Sequence, residues 1–399
     1  MVIKPRLLLV ISSALALVMA AAAPTLGAYG EATPDPLVQE DLLRVEDIAT
    51  AGKTASYGPV VAVGWRESAK PGELFVTYST DGGRSYLKNA DALRQFRVAG
   101  DGKRGLSLDV CGGRIWAGTS VNYPGDAAAD RDVLLTSRTI TGGAGQAFMT
   151  QADVERTVSN VSVACVGKRL LAVAWLEQSF GKARAKLLLR SLEPLGETPA
   201  FRKVYGLGNA VLKGGISVDA STDAVHVAWT DPAAQDLLYT GFLVGGDKKP
   251  VITPQATATL ASADVALPEI AARGQNVVLA YADAGKVKAR VSIDAGVTFG
   301  DPAGLVGTGT TANPSEVHTV DVSGSRIVVE ATASKSGTLT PQRIESADAG
   351  VGWDTRAFGH VGARVGALLK VSPTEARLVE AWQNNADGPD TVRAQYERP

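Results

Sequence analysis

A short β-branched strand ending in a large or hydroxyl residue recurs seven times at nearly equal steps, and this repeat constrains the fold more than any other feature of the chain. The copies are VVAVGW ending at Trp65, RIWAGT at Thr119, LLAVAW at Trp175, VHVAW at Trp229, VVLAY at Tyr281, VVEAT at Thr332 and LVEAW at Trp382. Successive anchors are 54, 56, 54, 52, 51 and 50 residues apart. Each unit keeps one order of parts. A first strand carries small residues, as in LSLDV (106–110), VSVAC (161–165), ISVD (216–219) and PEIAA (268–272). A Gly-, Asp- or Asn-rich turn leads to the anchor strand. A polar loop then leads to a third strand, such as LFVTYS (74–79), VLLTS (133–137) or VKARVS (287–292), and a further extended stretch closes the unit. Four short strands every ~50 residues are the repeat of a propeller blade. The expected fold is all-β: a single seven-bladed β-propeller of four-stranded antiparallel blades over residues 37–399. This overrules the two or three domains that ~150 residues per domain would suggest for 399 residues.

The taper of such a ring explains the residue choice. Inner strands crowd at the axis, where Ser107, Ser162, Ser217 and Ala271 fit. Blades diverge further out, and Trp65, Trp175, Trp229, Tyr281 and Trp382 are sized to fill the gap between them. The 43 glycines fit a chain with many tight turns.

The N-terminus reads as an export signal over residues 1–28. Lys4 and Arg6 precede an uncharged apolar run from Leu7 to Met19, and Ala20 to Ala23 follow. The 17 residues from Leu7 to Ala23 fall short of the ~20 that span a bilayer. No cysteine stands near the signal, and no later stretch reaches 18 apolar residues, so no membrane span is expected in the mature chain. Residues 29–36 read as a flexible lead-in, and the expected location is secreted, extracellular or periplasmic. Cys111 and Cys165 follow the first strands of neighbouring blades. Export places them in an oxidising compartment, so a disulfide between them is expected.

Two segments fit Ser-x-Asp-x-Gly-x-Ser/Thr-aromatic: Ser79 to Tyr86 and Ser292 to Phe299. Ser346 to Trp353 fits with Gly352 in place of the hydroxyl residue, and Ser191-Leu192-Glu193 is a weaker echo. This motif resembles the Asp box (bacterial neuraminidase repeat) of sialidase-like propellers. The resemblance implies a structural hairpin between the third and fourth strands, away from the active face. Sialidase chemistry would further imply an arginine triad, a Tyr–Glu nucleophile pair and an Asp acid/base. The first arginine of that family stands in an Arg-Ile-Pro-like motif. Before Tyr78 the mature chain offers Arg44 and Arg66, neither followed by Ile-Pro. Whether the chain is catalytic is therefore left open.

Ligands of propellers usually meet the face made by the second-to-third-strand loops. Two positions after the anchors stand Glu67, Val121, Glu177, Asp231, Asp283, Ser334 and Asn384. Glu67, Glu177, Asp231, Asp283 and Asn384, with Arg66 and with Tyr123 of the long loop Asn122 to Asp132, are the candidate ligand-binding residues. Carboxylates there serve glycoside hydrolysis, cation binding or a basic partner, and they also cap strand ends by hydrogen bonding. The segment Leu176 to Lys186 reads as a second long loop, basic through Lys182, Arg184 and Lys186. His226, His318 and His360 share no metal-ligand spacing, and no nucleotide or nucleophile motif occurs, so no metal or cofactor is expected. With 40 Lys and Arg against 41 Asp and Glu, a strongly basic nucleic-acid binder is excluded. The reading is a monomeric secreted propeller that binds an extracellular glycan or protein partner; the alternative is a sialidase-like glycoside hydrolase. Finally, the last blade runs out of chain after its third strand. The segment Leu37 to Arg44 is expected to pair there and close the ring.

Overall fold

Seven antiparallel sheets follow one another along the chain, and six of them are built from consecutive strands. In a computed structural model, blade one comprises Leu42–Ala51, Val60–Glu67, Glu73–Ser79 and Gln95–Ala99. Blade three comprises Arg156–Val166, Leu170–Ser179, Lys182–Ser191 and Arg202–Asn209. Blade four carries a fifth short strand, since Val251–Pro254 and Ala258–Ala261 both pair with Leu237–Gly245. The structure describes Tyr29–Gly30 and most of residues 42–397. Outside the description lie residues 1–28, 31–41, 52–58, 68–72, 87–94, 100–104, 122–131, 141–145, 150–155, 308–314 and 385–390, with shorter stretches of one to four residues. The export signal and Tyr123 thus lie outside the described residues.

The last blade is the exception to chain order. Val361–Lys370, Ala376–Asn384 and Thr391–Glu397 are completed by Tyr29–Gly30, with Tyr29 opposite Glu397 and Gly30 opposite Tyr396. An N-terminal strand does close the ring, but from a different segment than expected. Leu42–Ala51 serves as blade one's own inner strand, pairing with Val60–Glu67. The closing strand therefore comes from further upstream, in the stretch read as lead-in; Leu37 to Asp41 lie outside the described residues.

An apolar core fills each gap between neighbouring blades, and the anchor aromatics pack backwards into the preceding blade. Trp65 packs on Val365, Ala367 and Val379 of blade seven. Trp175 sits with Val133 and Leu135 of blade two, Trp229 with Leu187 and Leu189 of blade three, and Tyr281 with Leu237 of blade four. In blade six the register puts Ala331 rather than Thr332 at this position: Val278 lies opposite Ala271 and Val328 opposite Asp321, and three residues on stand Tyr281 and Ala331.

The seam between blades six and seven differs from the others. Its fully buried apolar core is Val328, Leu368 and Leu378. Charge fills the rest. Glu380 on blade seven accepts from Arg343 of blade six at 2.8 Å and from Arg364 at 2.6 Å, and Gln395 donates to its other oxygen. Arg364 also lies 3.5 Å from Glu330 and stacks 3.7 Å over the Phe358 ring. Both glutamates are 0% exposed. Burial pushes both carboxyls up, but at Glu380 the two guanidinium groups outweigh it and hold the group well below its usual range, whereas at Glu330 burial wins. One carboxylate thus serves two arginines, while its neighbour, with the weaker contact to Arg364, is raised by burial.

The Ser-x-Asp-x-Gly hairpins share one hydrogen-bond pattern. In blade one Ser79 Oγ accepts from Gly83 N at 3.0 Å, while Asp81 Oδ1 accepts from Ser85 N at 2.9 Å and Oδ2 from Ser85 Oγ at 2.5 Å. Blade five repeats these bonds through Ser292, Asp294, Gly296 and Thr298. Blade six keeps the backbone bond from Gly352 to Asp348, but glycine has no hydroxyl to reach the second oxygen. Each hairpin caps the first-to-second-strand turn of its blade, through Gly82 N to Pro59 O, Ala295 N to Gln275 O and Ala349 N to Ser325 O. They therefore lie on the face opposite the ends of the second strands.

The expected disulfide is present. Cys111 and Cys165 join blades two and three with Cα atoms 6.2 Å apart. Two stability measurements follow. Replacing both cysteines by serine opens a 54-residue loop and is expected to lower the denaturation free energy by about 2–4 kcal/mol. Glu380→Ala leaves two buried arginines without their shared anion, and a loss of about 3–5 kcal/mol is expected in urea denaturation. A loss under about 1 kcal/mol would show that the ionic seam contributes no stability.

Candidate functional site

The inner strands of the seven blades line a channel along the axis. Aligned by register, one tier of side chains is Asp47, Ser107, Ser162, Ser217, Glu269, Thr319 and Val365, opposite Gly64, Gly118, Ala174, Ala228, Ala280, Glu330 and Ala381 on the second strands. Two residues on, the next tier reads Ala49, Asp109, Ala164, Asp219, Ala271, Asp321 and Ala367, alternating Ala and Asp around the ring.

These side chains bond to the backbone of the next blade. Asp47 accepts from Leu108 N at 2.7 Å, Ser107 from Val163 N at 3.1 Å, Ser162 from Val218 N at 3.1 Å, Ser217 from Ile270 N at 3.2 Å and Thr319 from Gly366 N at 2.9 Å. In the second tier Asp109 accepts from Cys165 N at 2.6 Å, Asp219 from Ala272 N at 2.7 Å and Asp321 from Leu368 N at 2.6 Å. The other oxygen of each aspartate accepts from the backbone N–H of the residue that follows it: Ile48, Val110, Ala220 and Val322. Elsewhere Thr50 Oγ1 donates to Leu368 O across the seven–one seam, and Asn276 donates to Gly324 O across the five–six seam.

The channel has two halves. Towards the hairpin face, a cavity of about 140 Å³ is lined by the aspartate tier and by Arg273, which donates to Leu368 O at 3.3 Å and lies 4.0 Å from Asp321. Towards the loop face it widens to a mouth of about 300 Å³, lined by polar groups that include Glu46, Arg66, Glu269, Glu316 and His318. Arg66 pairs with Glu46. Ser217 Oγ donates to Glu269 at 2.9 Å, and His318 Nε2 lies 2.7 Å from Thr332 Oγ1 and Nδ1 3.9 Å from Glu316.

The channel carboxyls are half-buried, open only to this narrow space, and the depth of protein around them dominates their chemistry. Desolvation pushes Asp47 up to about 7, against the pull of its two N–H donors. Asp219 is pushed to about 8 by desolvation and by Asp109 nearby, and Glu269 to about 8 by desolvation and by Asp47. Asp109 and Asp321 are raised by the same burial, with Arg273 opposing it.

Among the residues expected at the ligand face, Arg66 lines the mouth. Glu177 and Asp283 sit at second-strand ends and are held by neighbours. Glu177 accepts from the Trp175 indole at 3.1 Å and lies 3.5 Å from Lys186, and Asp283 accepts from Lys288 at 2.7 Å. Asp231 turns the chain, its N–H donating to Asp236 O at 3.0 Å. Glu67 and Asn384 close their strands opposite Leu42 and Val361, and their side chains lie outside the described residues. The segment Leu176 to Lys186 is not a loop. Leu170–Ser179 and Lys182–Ser191 pair over their whole length, because alanines alternate with the cations and Ala185 is buried. Asp47, Asp109, Asp219, Asp321, Glu269 and Arg273 were not singled out by the sequence reading. The signal for three of them was a hydroxyl-x-Asp step shared by aligned first strands: Ser107/Asp109, Ser217/Asp219 and Thr319/Asp321. Among the described residues no group of three or more His, Cys, Asp or Glu is arranged to hold a metal ion, and no helix is long and apolar enough to cross a membrane.

No family model and no curated protein matches the chain. Among solved structures it is similar to a polysaccharide lyase of family PL25, an ulvan lyase, at 8% identity and a TM-score of 0.54, covering 90% of this chain and 94% of that one. It is similar to the NanB sialidase of Streptococcus pneumoniae at 10% identity and a TM-score of 0.46, covering 93% and 70%. The WD40 domain of SCAP from fission yeast matches at 11% identity and a TM-score of 0.41, covering 91% and 90%. At these identities the likeness is one of fold.

The raised carboxyls fix the sign of a pH dependence. Asp47, Asp219 and Glu269 have unfolded values near 4 and folded values of about 7 to 8. The stability they support is complete below about pH 4 and is lost as pH rises through 7 to 8. His226, buried and held down at about 4, acts oppositely, mainly below its unfolded value near 6.5. Chemical denaturation at pH 6.5 and 8.5 is therefore expected to show lower stability at 8.5. The difference should shrink in Asp219→Asn; stability that rises with pH over this window would contradict the assignment.

Proposed function

We propose that the protein is an exported propeller that binds an extracellular glycan or protein partner through its loop face, with the mouth of the axial channel as the contact site. The observation that carries this reading is the polar mouth of about 300 Å³, where Glu46, Arg66, Glu269, Glu316 and His318 converge on a rigid ring. Concave sites with a few convergent polar groups on a fixed scaffold are the usual form of a ligand site. The disulfide between blades two and three is in keeping with export. The hairpins of blades one, five and six, read as Asp boxes, are scaffold in this proposal, because their aspartates are consumed by turn N–H and hydroxyl groups.

The mouth supports binding better than hydrolysis. Asp47 uses both oxygens on backbone N–H groups, and Glu269 is engaged by Ser217. Glu177 and Asp283 are neutralised by lysines. One observation favours the second reading, a glycoside hydrolase: Glu269, pushed up to about 8, holds a proton at neutral pH, as a general acid must.

A glycan array with the mature chain, read beside a fluorogenic sialoside assay, separates the two. Binding without turnover is expected, with affinity for the array ligand falling at least tenfold in Arg66→Ala. Turnover abolished by Glu269→Gln would replace the binding reading with the hydrolytic one. Binding unchanged in Arg66→Ala would remove the channel mouth as the contact site.

A further inference from the structure

Charge is distributed unevenly among the blades. From Arg156 to Asn209, blade three carries nine lysines and arginines against three acids, a surplus of six. The remainder of the chain carries 31 against 38. The surplus is concentrated on the two outer strands, Lys182–Ser191 and Arg202–Asn209.

Lys182, Arg184 and Lys186 alternate along one strand and so share one face of the blade, the face that packs towards blade two through Leu188. The register brings Arg202 to the same face, opposite Arg190. Lys182, Arg184, Arg202 and Lys203 are exposed. Of the acids described near these cations, Glu177 is divided between Lys186 and the Trp175 indole, and Glu193 lies beside the buried Arg190. Arg184 donates to the neutral side chain of Asn209 rather than to a carboxylate. Val204, half exposed at 50% and opposite Leu188, stands on this face, whereas Lys203 and Tyr205, opposite Leu189 and Leu187, turn to the other face, where the Lys203 ammonium lies 4.8 Å from the Tyr205 ring. The paired stretch from Arg184 to Arg202 is about 20 Å long at ~3.3 Å per residue.

We infer that the outer edge of blade three is a docking strip for a linear acidic polysaccharide. This rests on the reading above that the partner is an extracellular glycan, and it adds the charge class of that partner and a second contact surface. Three features select the occupant. Cations spaced about 6.6 Å apart on alternate strand residues match a polymer with regularly repeated anions. Val204 sets exposed apolar surface among the charges, which suits the mixed apolar and charged faces of a sugar chain. The strip runs along the two outer strands of one blade, whereas a nucleic-acid duplex spreads its phosphates around a helix and is met by groove-sized elements. The shared chemistry is a repeated carboxylate or sulfate, and the probes separate the two.

The test measures binding of the mature chain to polygalacturonate (carboxylated), heparin (sulfated), dextran (neutral) and a 20-base-pair DNA duplex at two salt concentrations. Binding to at least one acidic polysaccharide is expected, weakening with salt, with none to dextran. In Lys182→Ala/Arg184→Ala/Arg202→Ala, affinity falls at least tenfold and the salt dependence becomes shallower. A control, Arg84→Ala/Lys286→Ala/Lys370→Ala, removes equal charge elsewhere and leaves affinity within about twofold. Thermal melting of both variants checks that each is folded, and a single Arg184→Gln, expected to lose about threefold, serves should the triple variant melt early. The inference is overturned if neither acidic polymer binds, if the control loses as much as the strip variant, or if DNA binds more tightly than both polysaccharides. An array ligand whose binding falls in Arg66→Ala but not in the strip variant also overturns it, while leaving the loop-face reading standing.

Discussion

The axis of the ring creates a problem that the rest of the structure is arranged around. The inner strand of every blade presents an edge to its neighbours at the channel, and its backbone N–H groups there have no strand to pair with. Unpaired backbone donors away from bulk water are costly. Five of the blades answer by lending a side-chain oxygen to the next: Asp47 to Leu108, Ser107 to Val163, Ser162 to Val218, Ser217 to Ile270 and Thr319 to Gly366. The aspartates of the second tier repeat the arrangement at alternate blades. Small or acceptor-bearing residues are therefore needed there for two reasons at once, space and hydrogen bonding. The carboxyls that result are half-buried and close together, so burial and mutual repulsion raise them to about 7 and 8 where values are resolved. An acidic channel is, in this protein, first a consequence of holding blades together.

The ring must also be closed, and the seams are not equivalent. Six rest mainly on apolar cores, and into four of these an aromatic anchor of the following blade is fitted: Trp65, Trp175, Trp229 and Tyr281. The seam between blades six and seven has a small apolar core and a buried network of two arginines and two glutamates. Beside it, Arg326 of blade six bonds Glu397 of the C-terminal strand at 2.5 Å and Glu345 at 3.0 Å. Blade seven takes its outermost strand from the far end of the chain. Directional ion pairs fix register where apolar packing would tolerate a slip, and here they sit against the blade whose sheet is assembled from both ends of the sequence.

The repeat was legible because it is periodic: the step between anchors, the first strands and the third strands all fell where the sheets are, and the pairing of Cys111 with Cys165 followed from their places in neighbouring blades. Three things were not. The segment Leu37 to Arg44 offers a strand-compatible length for closing the ring, while the actual pairing at Tyr29–Gly30 is two residues long and has no pattern of its own. The segment Leu176 to Lys186 reads as a loop on its charges, but Lys182, Arg184 and Lys186 alternate with alanine, a period-two pattern that marks a strand with one buried face. The channel aspartates passed as ordinary strand residues because their partners lie in the next blade, about 50 residues away, and no local pattern carries that pairing. Only stacking the first strands of all blades brings the Ala/Asp alternation into view.

Net charge gave a sound exclusion at the level of the chain and a misleading one below it. A total of −1 does rule out a protein that is basic throughout, yet a total is a sum over surfaces that never meet. Part of the acidic share is spent around the axis, where five carboxyls face a narrow channel and several hold protons near neutral pH. Those acids do not pair with cations on the outer edge of a blade, because they face the axis and are engaged by backbone N–H groups of the next blade. Blade three therefore presents the cations Lys182, Arg184, Arg202 and Lys203 to solvent almost as if the acids of the channel were absent. In a propeller, where every blade turns a different edge outward and shares one axis with the rest, charge is meaningful blade by blade, and the partner that a surface admits is set there rather than by the isoelectric point of the whole.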